Sequence, residues 1–63
     1  METTAGDQRL VEKAAHEFIE WHGAQAVLVL RDCAESAAAA GDTRSASTWQ
    51  EIADAAKRLL SGA

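Results

Sequence analysis

Among the residues that could perform chemistry, this 63-residue chain has one cysteine and two histidines. Cys33 and His22 could act as a thiol nucleophile and its base only if the two side chains came within hydrogen-bond reach. If the chain folds back at Gly23, His22 packs near the start of the next helix and Cys33 lies about 13 Å further along it. We therefore expect Cys33 to be a small core residue, and the sequence assigns no catalytic residue.

Glu12, His16 and Glu20 recur at every fourth position, so on a helix they would form one ridge of possible metal ligands. Metal sites usually draw their ligands from several elements and need hydrogen-bonding support around them, whereas exposed Glu and His side chains are ordinary solvated surface. A metal- or thiol-dependent enzyme stays open as an alternative. The sequence nevertheless predicts a protein with no enzymatic activity, no metal and no cofactor.

Trp21 and His22 are candidates for a protein interface. Tryptophan is enriched at binding hot spots, although the helical spacing of Trp21 with aliphatic neighbours favours a core position. His22 falls at a predicted helix C-terminus, where the helix dipole favours a protonated imidazole. It could form a pH-sensitive contact, or it could cap backbone carbonyls and pack its ring.

The elements that must position these residues are marked by glycines. Proline is absent, and strong helix formers fill the intervals between the glycines. Gly23, Gly41 and Gly62 are predicted to end helices, because glycine adopts the left-handed conformation beyond a helix C-terminus without a steric penalty. The intervals predict helices over residues 6–22, 24–40 and 43–61. Whether Gly23 separates the first two helices or kinks a single one stays open.

The start of the first helix is marked by a capping-box pattern at Thr4 and Asp7. The start of the third has several possible N-caps, namely Asp42, Thr43, Ser45 and Ser47. The first and third predicted helices each have one apolar face to bury. The face of the first comprises Leu10, Val11, Ala14, Ala15, Phe18, Trp21 and His22. The face of the third comprises Ala46, Trp49, Ile52, Ala53, Ala56, Leu59 and Leu60.

The second predicted helix has more apolar surface than one face explains. Leu28 lies among charged side chains on the face opposite the apolar one, and Val29 lies at the edge of the apolar face. Both are therefore interface candidates. A domain of 63 residues has a thin core, and only 13 of its residues are Leu, Val, Ile, Phe or Trp. These observations predict an all-α, three-helix antiparallel bundle that spans residues 1–63 as one domain and is completed by dimerisation through the first half of the second helix.

Charge and composition limit the partners. The net charge of −4 and the pI near 4.9 disfavour nucleic acid. The N-terminus lacks the basic and apolar regions of a signal peptide, and the longest run of apolar residues covers only residues 26–30. With a single cysteine, the chain is expected to be cytoplasmic and to have no membrane partner.

A DNA-binding regulator is a further alternative, with the second and third helices as a degenerate helix-turn-helix. Ala37 and Gly41 match the small residue and the turn glycine of that motif. Ser47, however, stands where the motif has an aliphatic residue. The sequence therefore favours a small non-enzymatic interaction or regulatory module, with a second copy or another protein as its partner.

The chain also carries three marks in order: an aromatic helix that ends in His-Gly, then Gly-Asp, then Trp-x-x-Ile-Ala. The residues concerned are Phe18, Trp21, His22, Gly23, Gly41, Asp42, Trp49, Ile52 and Ala53. In these marks about two-thirds of the chain resembles a group of short, uncharacterised proteobacterial helical proteins. The resemblance implies a helical fold and no catalytic or binding residue.

Overall fold

The computed structural model describes the backbone of residues 3–62 and the side chains of residues 9–62. Over this range the chain is all-helical and contains no strand. Helix α1 spans Thr3–His22, α2 spans Ala26–Ala39, α3 spans Thr43–Leu60, and a 3-10 turn at Gly23–Gln25 joins α1 to α2. The predicted end of the first helix at residue 22 and start of the third at residue 43 are confirmed, and the other four predicted bounds differ by one to three residues.

Helix α1 begins at Thr3, before the predicted start at residue 6. The predicted capping pair of Thr4 and Asp7 lies outside the described side chains. Gly23 ends α1 with a backbone φ of +61°, so it separates two helices rather than kinking one. The 3-10 turn then delays the start of α2 from the predicted residue 24 to Ala26, whose backbone N–H donates to the carbonyl of Gly23.

The connection between α2 and α3 stops one helix and starts the next within three residues. The N–H groups of Gly41 and Asp42 donate to the carbonyls of Ala38 and Ala37, at 3.0 and 2.9 Å, which is the Schellman pattern of helix termination. Gly41 has a φ of +83°, as this pattern requires. Asp42 then caps α3, because its Oδ1 accepts the N–H of Ser45 at 3.1 Å. Interactions with the side chain and the backbone N–H of Ser45 hold the pKa of Asp42 below its usual 3.8, and the side-chain interaction has the larger effect.

Helix α3 is the central element, because it packs against both α1 and α2 while those two contact each other less. The fold is broad and flat, with Cα extents of 31 × 29 × 17 Å. Its core consists mainly of alanines. The buried hydrophobic residues are Val11, Ala15, Ala26, Leu30, Ala34, Ile52, Ala53, Ala55 and Ala56. Small side chains let the helices approach closely, but they bury little apolar area each.

Two expectations for large core residues are only partly met. Trp49 is half-buried and packs edge-on against Phe18, with their ring centroids 6.0 Å apart. Leu59 and Leu60, assigned to the apolar face of α3, are exposed. They follow the last buried residue of α3, Ala56, and lie beyond the buried core.

Candidate interaction surfaces

Among the residues whose side chains the structure describes, more large apolar residues are exposed than buried. The exposed ones are Leu10, Trp21, Leu28, Leu59 and Leu60, and the buried ones are Val11, Leu30 and Ile52. Single exposed apolar residues are normal on a protein surface, but a contiguous apolar patch marks a site of interaction. The position of each exposed residue therefore decides whether it belongs to a site.

Trp21 is 83% exposed, so its expected place in the core is wrong. The physical reason is the width of the apolar arc on α1, which exceeds what α2 and α3 cover. Val11 and Ala15 turn into the core, whereas Leu10 and Trp21 lie on an arc centred about 110° further around the helix. Leu10, which was also expected to be buried, is 65% exposed for the same reason.

The uncovered arc of α1 forms a continuous stripe. We define the α1 stripe as Leu10, Lys13, Ala14, Glu17 and Trp21, which follow one another at helical positions i, i+3, i+4, i+7 and i+11. All but Ala14, which is half-buried, are exposed. These positions place an apolar side chain at each end of the stripe, a small residue near the middle, and one charge of each sign between them.

Most of the α1 stripe also lines a groove between α1 and α3, with a volume of about 950 Å³. Val11 and Ile52 are almost completely buried at its floor. The wall contributed by α3 is polar and contains Thr43, Arg44, Ser47, Thr48 and Glu51. The groove therefore combines a small apolar floor with a polar wall on the α3 side.

The surface predicted from the second helix is present as a smaller depression on the outer side of α2. We define the α2 patch as Leu28, Val29, Arg31, Asp32 and Glu35, which line a volume of about 550 Å³. Leu28 is 65% exposed and Val29 is half-buried. The structure thus leaves Leu28 accessible, but charged side chains surround it and no second exposed large apolar residue lines the depression.

His22 is held in place by an aromatic contact. Its ring stacks on that of Phe18, with centroids 5.8 Å apart and an interplanar angle of 29°. Phe18 in turn contacts Trp49, so this stack connects the end of α1 to α3. His22 remains exposed, and a pH-sensitive contact through it remains a prediction.

The alternative functions receive no specific support from the geometry. Glu12, His16 and Glu20 are exposed along α1, and the described residues contain no group of three or more His, Cys, Asp or Glu that could hold a metal ion. Cys33 is a half-buried free thiol on α2. Ser47 is exposed and lines the α1/α3 groove, so no aliphatic side chain packs where a helix-turn-helix needs one.

Sequence reasoning identified Trp21 as an interface candidate but missed Lys13 and Glu17, which accompany it. The spacing of the α1 stripe was visible in the sequence, but only the packing of α3 shows which half of the apolar arc stays uncovered. Within residues 3–62, no helix is long and apolar enough to cross a membrane. No family model matches the chain, and no curated protein or solved structure is significantly similar to it.

Proposed function

We propose that the protein is a small, non-enzymatic interaction or regulatory module that works as a homodimer. The observation that carries this proposal is the excess of exposed over buried large apolar side chains in the described part of the chain. The proposed architecture is a three-helix antiparallel bundle that a second copy completes. The packing of α3 against both other helices supports it.

The thin core gives a physical reason for self-association. Leu30 is the largest side chain that is completely buried, and alanines supply most of the remaining core. A fold with so little buried apolar area has a small free energy of unfolding. Binding of a second copy to the folded state adds to that free energy in proportion to the logarithm of the protein concentration. The melting temperature should therefore rise with protein concentration.

The α2 patch is the contact that the sequence predicts, and its partner is a second copy or another protein. Sedimentation velocity from about 1 to about 300 μM should show conversion of monomer to dimer. If the α2 patch forms the contact, Leu28→Asp shifts the distribution toward monomer, because it buries a charge without a partner. Gln50→Asp is the matched control, since it places the same side chain at an exposed position of α3.

A strictly monomeric chain at all these concentrations would refute the homodimer proposal. Circular dichroism of each variant checks that it stays folded. Leu28 and Gln50 are both exposed, so neither substitution removes core packing. The proposed compartment is the cytoplasm, where the free thiol of Cys33 would stay reduced.

A further inference from the structure

The α1 stripe has a symmetry that the α2 patch lacks. Leu10 and Trp21 stand at its ends, 11 residues apart, which corresponds to about 16 Å along the helix axis. Ala14, near its middle, is small enough to let another helix approach closely. Lys13 and Glu17 flank this middle, with opposite charges at nearly equal distances from it.

We propose that a second copy of this chain docks on the α1 stripe in an antiparallel, two-fold symmetric arrangement. The proposal rests on the homodimer proposed above and specifies where the two copies meet. With the two-fold axis between positions 15 and 16, Leu10 lies opposite the partner subunit's Trp21, since both are the same number of residues from the axis. The same contact occurs twice, as an isologous interface requires.

Charge complementarity selects the antiparallel orientation. In that orientation Lys13 faces the partner subunit's Glu17 within about one residue of exact register, or about 1.5 Å along the axis. A parallel pairing in register would instead place Lys13 at the same height as the partner subunit's Lys13, and the two positive charges would repel each other. The two symmetric Lys–Glu pairs therefore favour one orientation over the other.

The α1/α3 groove adds mainly polar surface next to the stripe, because Val11 and Ile52 are almost completely buried and the other α3 residues that line it are polar. The α1/α3 groove runs along most of the stripe, and Val11 and Ile52 form its floor. A stable dimer buries about 800 Å² on each partner, which requires a continuous surface. The α1 stripe contributes two exposed large apolar side chains, Leu10 and Trp21, along about 16 Å of helix, whereas the α2 patch offers a single one among charges.

The first test removes the aromatic side chain at one end of the stripe. Trp21→Ala should raise the dimer dissociation constant at least about 30-fold, because each dimer loses its two tryptophan contacts, one at each end of the interface. Trp21 is 83% exposed, so this variant should keep its helical circular dichroism and differ only in association.

The second test reverses charges on the stripe. Lys13→Glu and Glu17→Lys should each weaken the dimer about 10-fold, because each creates two repulsive pairs. The double variant restores opposite charges in the antiparallel pairing and should return to within about threefold of the wild type. Glu12→Lys is the matched control for Glu17→Lys, since it makes the same change on α1 outside the stripe.

The outcomes separate this inference from the homodimer proposal. A wild-type chain that stays monomeric refutes both. A dimer that Leu28→Asp dissociates and Trp21→Ala leaves intact supports the homodimer and overturns docking on the α1 stripe. A dimer that Trp21→Ala dissociates, without recovery in the double charge variant, overturns the antiparallel orientation. A dimer that resists Leu28→Asp and shows the charge rescue supports the inference in full.

Discussion

Replacing Gly41 by alanine should destabilise the fold by a predictable amount. An alanine Cβ at this position would meet no atom within 4 Å, so the substitution introduces no steric clash with the rest of the protein. Its cost is the left-handed backbone at φ +83°, which is about 1–2 kcal/mol for an L-residue with a side chain. Alanine also lowers the conformational entropy of the unfolded chain, which offsets roughly 0.4–1 kcal/mol of this cost. The net loss should be about 1 kcal/mol.

Thermal and urea denaturation of Gly41→Ala measure this loss. For a domain of this size, a change of about 1 kcal/mol lowers the melting temperature by roughly 4–8 °C. Gly62→Ala is the matched control, because Gly62 has a similar φ of +76° but lies after the end of α3 at Leu60 and outside the turns that join the three helices. Its strain can be relieved by unwinding one turn, and we expect almost no change in stability.

A chemically synthesised chain with D-alanine at position 41 tests the conformational argument directly. D-residues favour positive φ, so this chain should be at least as stable as the wild type. If Gly41→Ala matched the wild type, or if the D-alanine chain were as unstable as Gly41→Ala, the backbone conformation would not be the cause. The role assigned to the Schellman turn between α2 and α3 would then be wrong.

Three further predictions follow from burial and capping. Leu30→Ala should cost about 2–5 kcal/mol in urea denaturation and Leu30→Met less than about 1.5 kcal/mol, because Leu30 is completely buried. Asp42 ionises more readily in the folded state, so its contribution to stability is present above its unfolded pKa and is lost as the pH falls through its lower folded pKa. The difference in melting temperature between wild type and Asp42→Asn should therefore shrink below pH 3.8. In dilute protein, acrylamide should quench Trp21 in the Trp49→Phe variant more strongly than it quenches Trp49 in the Trp21→Phe variant, because Trp21 is 83% exposed and Trp49 is half-buried.

The helical composition of the chain and the positions of its breaks were predictable because they depend on local chemistry. Gly23 and Gly41 end helices through their own backbone freedom, and Asp42 starts one through a hydrogen bond three residues along. The exact start of α2 was not predictable. No side chain caps it, so the 3-10 turn that precedes Ala26 has no local signal of its own.

The candidate site was predictable in part. Leu28 stood out because an aliphatic residue lay on an otherwise charged face, and the structure leaves it exposed. Trp21 was named for its chemistry, but its apolar neighbours at helical spacing also fitted a core position. Leu10 gave no sign of exposure at all. Sequence periodicity shows that a helix has an apolar arc, but not how much of that arc the other helices cover.

The sequence by itself determined that the described chain is helical and where its helices stop, because these follow from propensities, glycine conformations and caps within a few residues. Only the tertiary structure decided which apolar side chains are buried, because burial depends on how three helices from distant parts of the chain pack. α3 covers Val11 and leaves Leu10 and Trp21 open, although the sequence places all three on one apolar arc. The spacing of the α1 stripe is present in the residue pattern, but its exposure is a product of packing.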